Sequence, residues 1–225
     1  MSTSKKLLMA SAGVAVVGGN TSPFIRDSGS THSNSSGSQT LSITAPSVVS
    51  GDYVVIVIAV NNSSAITAFG DLTGWTQDVY ETSTPERLLV LSTTVVGNET
   101  WINSNIECTI AAQYSCCVFS VANVTGKQVG TFNDSTSSSV ILSSLSLTNP
   151  SLLLSLSGSD NSGTVTSITN SSYTFTSVVE SSTNSSLQGE VAIYSAGLVY
   201  SGATGTVTIT IDTSYGLAAV LLAFS

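Results

Sequence analysis

From Leu41 to Phe224 the chain is a succession of short runs rich in Val, Ile, Leu and Thr, each closed by a cluster of Gly, Asn, Ser or Asp. Short β-branched runs punctuated by turn formers restrict the body to an all-β sandwich or barrel. The expected strands are 41–44, 53–60, 76–81, 87–96, 106–112 and 114–124, followed by a second set at 140–147, 152–157, 173–180, 189–200, 205–211 and 215–224. The last of these, GLAAVLLAF, is apolar on both faces and is expected to be a central strand.

The two sets align at a separation of about 100 residues, which points to an internal duplication. Trp75-Thr76 falls on Tyr173-Thr174 and Tyr114 on Tyr215. The expected fold is therefore a duplicated antiparallel β-sandwich of jelly-roll type, preceded by an extended N-terminal arm. In this alignment Val54, Ile56 and Ile58 match Leu152, Leu154 and Leu156, while Val55, Val57 and Ala59 match Leu153, Ser155 and Ser157. The run YVVIVIAV is apolar on both sides, and such strands are normally covered on both faces. Val55, Val57 and Ala59 are thus the candidate inter-subunit face, with the N-terminal arm or another subunit as the cover.

Charge excludes whole classes of function. Of 225 residues only five are Lys or Arg against thirteen Asp or Glu, the net charge is -8, and no basic residue follows Lys127. A nucleic-acid ligand needs phosphates neutralised, and this chain has no basic patch to do it. The single histidine, His32, lies in a Ser/Gly-rich stretch expected to hold no fixed geometry, so a Ser-His-Asp or Cys-His arrangement lacks its base. Cys108, Cys116 and Cys117 offer no Cys-x-x-Cys pair and read as small buried hydrophobes. Asp160 and Asn161 read as turn formers rather than calcium ligands, and Asp78, Glu81 and Glu86 as surface carboxylates rather than an acid and base pair. Neither a catalytic residue nor a metal or cofactor site is expected. Trp101 and Tyr200, aromatics on polar loops, are the candidate surface-contact residues. Nine asparagines, Asn20, Asn34, Asn61, Asn62, Asn98, Asn123, Asn133, Asn170 and Asn184, stand in N-x-Ser/Thr form, which keeps a secreted glycoprotein in view.

The first residues combine Lys5 and Lys6 with an apolar run of small residues, the outline of a secretory signal and equally of a retained arm that docks on a larger particle. The run is too short to span a membrane. Reading it as an arm makes Leu7, Leu8, Met9, Val14, Val16 and Val17 its docking residues. The expected organisation is an arm over 1–26, a flexible Ser/Gly-rich tether over 27–40, a first β unit over 41–126 and a second over 127–225, packed with the first as one body.

The opening SKKLLMASAG resembles the start of structural proteins of tailed bacteriophages, in which a small apolar N-terminus seats an appendage in the virion. The body resembles a tandem module of phage and bacterial surfaces, with a strand opening on Gly51-Asp52-Tyr53-Val54-Val55, a Gly74-Trp75-Thr76 turn, and closing strands Val118-Phe119-Ser120-Val121 and Val220-Leu221-Leu222-Ala223-Phe224. The second half departs from it, with Asn149-Pro150-Ser151 in place of Gly-Asp and Tyr173 in place of Trp. The resemblance implies a non-enzymatic virion protein, a decoration protein, head or neck fibre or tail appendage. It would bind other virion proteins through its arm, form a homo-oligomer with a trimer favoured, and contact host-surface glycans. The rival expectation is a secreted carbohydrate-binding or adhesion module, with Trp101 and Tyr200 as stacking platforms.

Overall fold

The protein was analysed as a computed structural model, which describes residues 22–28, 32–34, 39–41, 46–61, 66–69, 74–80, 86–96, 106–110, 113–159, 163–181, 190–213 and 216–225. All regular structure among them is β, and every strand pairing is antiparallel. The first unit contains β1 (Phe24–Ser28), β2 (His32–Asn34), β3 (Gln39–Leu41), β4 (Tyr53–Asn61), β5 (Ile66–Phe69), β6 (Thr76–Tyr80), β7 (Glu86–Thr94), β8 (Ile106–Ile110) and β9 (Gln113–Ala122). The second contains β10 (Lys127–Val129), β11 (Asn133–Ser135), β12 (Ser139–Leu142), β13 (Ser146–Leu147), β14 (Ser151–Ser159), β15 (Val165–Thr169), β16 (Thr176–Ser181), β17 (Glu190–Val199), β18 (Gly202–Ala203), β19 (Val207–Ile211) and β20 (Leu217–Phe224).

The same strand order occurs in both. A large sheet runs β1-β9-β4-β7-β6, with β2 also on β9, and its counterpart runs β10-β20-β14-β17-β16, with β11 also on β20. A small sheet runs β3-β8-β5 in the first unit and β12-β19-β15 in the second. Even the irregularities recur, since β6 bulges between Gln77 and Val79 against β7 and β16 bulges between Ser177 and Val179 against β17. Among the described residues the second unit adds the β13-β18 ladder.

The two large sheets pack face to face, β4 on β14, β7 on β20 and β9 on β17. One core fills the space between them, built from Val55, Val57, Leu88, Val90, Cys117, Phe119 and Val121 on one side and Leu154, Leu156, Val191, Ile193, Val220, Leu222 and Phe224 on the other. This corrects the assignment of Val55, Val57 and Ala59 to an interface between subunits: all three are buried, and the cover is the chain's own second unit. The opposite face of the first large sheet, Val54, Ile56, Ile58 and Val60 with Leu89 and Leu91, forms a second core. A third lies in the second unit, where Val207, Ile209 and Ile211 of the small sheet meet Leu153, Leu217 and Leu221.

Strand registers also correct the alignment of the halves. Val55 pairs with Ser92 and Leu154 with Ser195, the positions that face the matching bulges at Thr76 and Thr176. Val55 and Val57 therefore correspond to Leu154 and Leu156, and Ile56 and Ile58 to Ser155 and Ser157. One residue of slip exchanges the two faces of a strand. By the same matching Trp75 corresponds to Phe175 rather than Tyr173, and each packs against the outer core of its own unit. Residues 54–60 of β4 and the whole of β14 are buried, so the serine face of β14 is an interior face and not an exposed one.

The arm and tether boundaries change as well. Residues 24–28, 32–34 and 39–41 are strands: Phe24 pairs with Ala122, His32 with Cys116 and Gln39 with Ile110. An edge strand is held by backbone hydrogen bonds and needs no apolar alternation, which is why FIRDS and HSN carry no sequence signal. The first unit thus includes residues 24–28 and 32–34, and the backbone of His32 has a fixed place. Residues 1–21, with all six docking-arm candidates, lie outside the described residues.

Because both units bury residues in the same central core, they are expected to unfold together. Leu154→Ala should cost about 2–5 kcal/mol while leaving one cooperative transition in urea followed by fluorescence and circular dichroism; two separated transitions would contradict the shared core.

Candidate functional site

Two ends of the body differ in chemistry. The near end is where Tyr53 pairs with Thr94 and Val121 in the first unit, and Leu152 with Leu198 and Phe224 in the second. The rings of Tyr53 and Phe224 meet edge to face at 5.9 Å, so the near ends of the units coincide. The far end is where Asn61 meets Glu86 and Gln113, and Ser159 meets Glu190 and Leu217.

Polar contacts build the near end around Asp52, which is 2% exposed. Its carboxylate accepts Arg26 Nε at 2.5 Å and Nη2 at 3.1 Å, and the backbone N–H of Val49 at 2.9 Å. The Arg26 guanidinium lies 5.6 Å from the Phe24 ring centroid. The Asp27 carboxylate accepts the N–H of Ser47 at 2.7 Å, so β1 and the segment leading into β4 are pinned to each other. Asn123, in the left-handed region at φ 57, donates its side-chain amide to the Ser22 carbonyl at 3.2 Å, and Thr125 and Gly126 donate their N–H groups to Ser225. Exposed apolar side chains gather at this end: Phe24, Val49, Val96, Leu198 and Tyr200, the last 74% exposed.

The far end of the second unit holds a buried acid. Glu190 is 3% exposed, stands opposite Ser159 in the sheet, and has one carboxylate oxygen without a hydrogen-bond partner. Burial, reinforced by the charge of Glu180, pushes its pKa up from 4.5 to about 7 despite a hydrogen bond with Thr164. Glu180 accepts a 2.7 Å hydrogen bond from the Tyr194 hydroxyl, and Tyr194 is driven upward by burial and by that contact. Asp212 accepts the Thr164 N–H at 2.8 Å. Among the described residues no group of three or more His, Cys, Asp or Glu is placed to hold a metal.

The residues singled out in the sequence are scattered. Tyr200 is at the near end, and Trp101 lies outside the described residues, as do Glu81, Asp160 and Asn161. Asp78 is buried in an ion pair with Lys127 facing the central core, whereas Glu86 begins β7 at the far end, so they make no acid and base pair. Cys116 and Cys117 are fully buried thiols, and burial raises the Cys117 thiol well above its ordinary range. The side-chain amides of Asn123, Asn133 and Asn170 each donate to a backbone carbonyl. Sequence reasoning missed Arg26 with Asp52, and Glu190, whose one signal is a lone acid opening an apolar strand. Comparison with protein-family models, curated proteins and solved structures gives no match.

Since the folded chain holds the Glu190 proton up to about pH 7 and the unfolded chain releases it near 4.5, stability should fall as pH rises between these values. The full effect above pH 7 is about 3 kcal/mol at most. Urea midpoints at pH 5 and pH 8 should converge in Glu190→Gln relative to the parent; an unchanged gap would assign the pH dependence elsewhere.

Proposed function

We propose that this protein is a non-enzymatic structural or attachment component of a phage virion, seated through its N-terminal residues with the β body standing outward. The carrying observation is the near end, where the Ser22 carbonyl is tied to Asn123 and where Phe24, Val49, Val96 and Tyr200 are exposed. An exposed apolar set beside an apolar N-terminal sequence suits a seat against other virion proteins. The far end then faces outward and is the end available to a host surface. The strand order, with β1 beside β9 and β10 beside β20 in the large sheets and β3 beside β8 and β12 beside β19 in the small ones, is read as a jelly roll, present twice by duplication. That architecture recurs in viral capsid and lectin domains, a likeness of fold that by itself carries no function.

In this reading Tyr200 belongs to the seat, and a homo-oligomer such as a trimer would form around the docked ends. A second reading, a secreted carbohydrate-binding module, draws on the same exposed Tyr200 as a stacking platform. Removing residues 1–20 should abolish incorporation into particles while the body keeps its β circular-dichroism spectrum and its unfolding midpoint. Incorporation at the parental level would overturn the seat. Tyr200→Ser should weaken incorporation several-fold under the first reading and glycan-array binding under the second.

A further inference from the structure

The ion pair between the units sits where a fold of this kind has no need of charge. The side chain of Asp78, the bulged residue of β6, is 3% exposed and that of Lys127 of β10 is 13% exposed. Lys127 Nζ donates to Asp78 Oδ1 and, at 2.6 Å, to Ser92 Oγ, and lies 5.9 Å from the centre of the Tyr53 ring. The other carboxylate oxygen of Asp78 has no partner. The matching positions across the repeat are Val178, in the bulge of β16, and Ile25 of β1, and both pack against the same central core. An apolar pair therefore serves one side of the interface where a buried amine and acid occupy the other.

We propose that Lys127 and Asp78 condense into an intramolecular isopeptide bond that joins the two units covalently. The fold holds the amine and the carboxyl in contact with both side chains largely closed to solvent, which replaces an encounter in solution by a fixed approach. A proton passes from the Nζ ammonium to the carboxylate. The freed nitrogen lone pair attacks Cγ, one C–O bond breaks, and the oxygen leaves as water with the carboxyl proton and one proton from nitrogen. Ser92 Oγ, hydrogen-bonded to Nζ, is placed to relay the proton that nitrogen gives up. Neither an oxidant nor a cofactor is consumed, and the net charge of the chain is unchanged. The product buries a neutral amide, whose N–H keeps Ser92 as its acceptor, in place of two charges and an unpaired oxygen.

The test is the intact mass of the purified full-length protein under denaturing conditions. The chain should be lighter by one water than its sequence, trypsin should fail to cut after Lys127, and tandem mass spectrometry should find Asp78 and Lys127 in one branched peptide. Lys127→Arg should restore the full mass. A parent chain at full sequence mass overturns the proposal, and so does a Lys127→Arg chain that keeps the deficit, which would place the lost water in a succinimide at Asp78.

Discussion

The interface between the two large sheets governs everything else in this molecule. A strand such as Tyr53–Asn61, with apolar residues on both faces, cannot end a structure, because each face needs a cover. One face is served within its own unit; the other is served by a second copy of the same strand order in the same chain. The matching central strands β4 and β14 oppose each other while the flanking strands cross over, β7 on β20 and β9 on β17, and the contact of Tyr53 with Phe224 makes the near ends of the two units coincide.

Much of the fold was legible because apolar periodicity reports burial directly. Residues 53–60, 87–96 and 189–200 announce themselves as strands, and the all-β class follows from such runs. What failed was face assignment. Matching Val54 with Leu152 rather than Leu153 placed the serines of β14 on an exposed side and created an apparent need for a partner subunit. Pairing registers and bulges settle such a choice, and they are long-range facts that a single strand does not carry. The short polar strands at 24–28, 32–34 and 133–135 were invisible for a related reason: their hold on the sheet is through backbone groups, which every residue possesses.

The polar sites were less legible. Asp52 stood in a quoted Gly-Asp motif, yet its partner Arg26 is in a segment read as an arm. Glu190 and the serines Ser155, Ser157 and Ser159 share one interior face only once strands far apart in sequence are brought together. Asp78 looked like one of three surface acids, and its burial depends on Lys127, 49 residues away, in the other unit.

The asymmetry between Asp78 with Lys127 and Val178 with Ile25 also bears on how copies of this chain avoid one another. Each unit presents a large sheet that a like sheet can cover, so in a crowded setting two first units or two second units from different molecules could associate. Two first units would set Asp78 against Ile25, and two second units would set Lys127 against Val178, in each case burying a charge with no counter-charge. An uncompensated buried charge is among the most costly defects a protein interface can contain. Only the pairing of a first unit with a second brings acid to amine, and a short linker supplies that partner from the same molecule. The charge pair thus labels two nearly equivalent surfaces as different, favouring the pairing of unlike units over the two pairings of like ones.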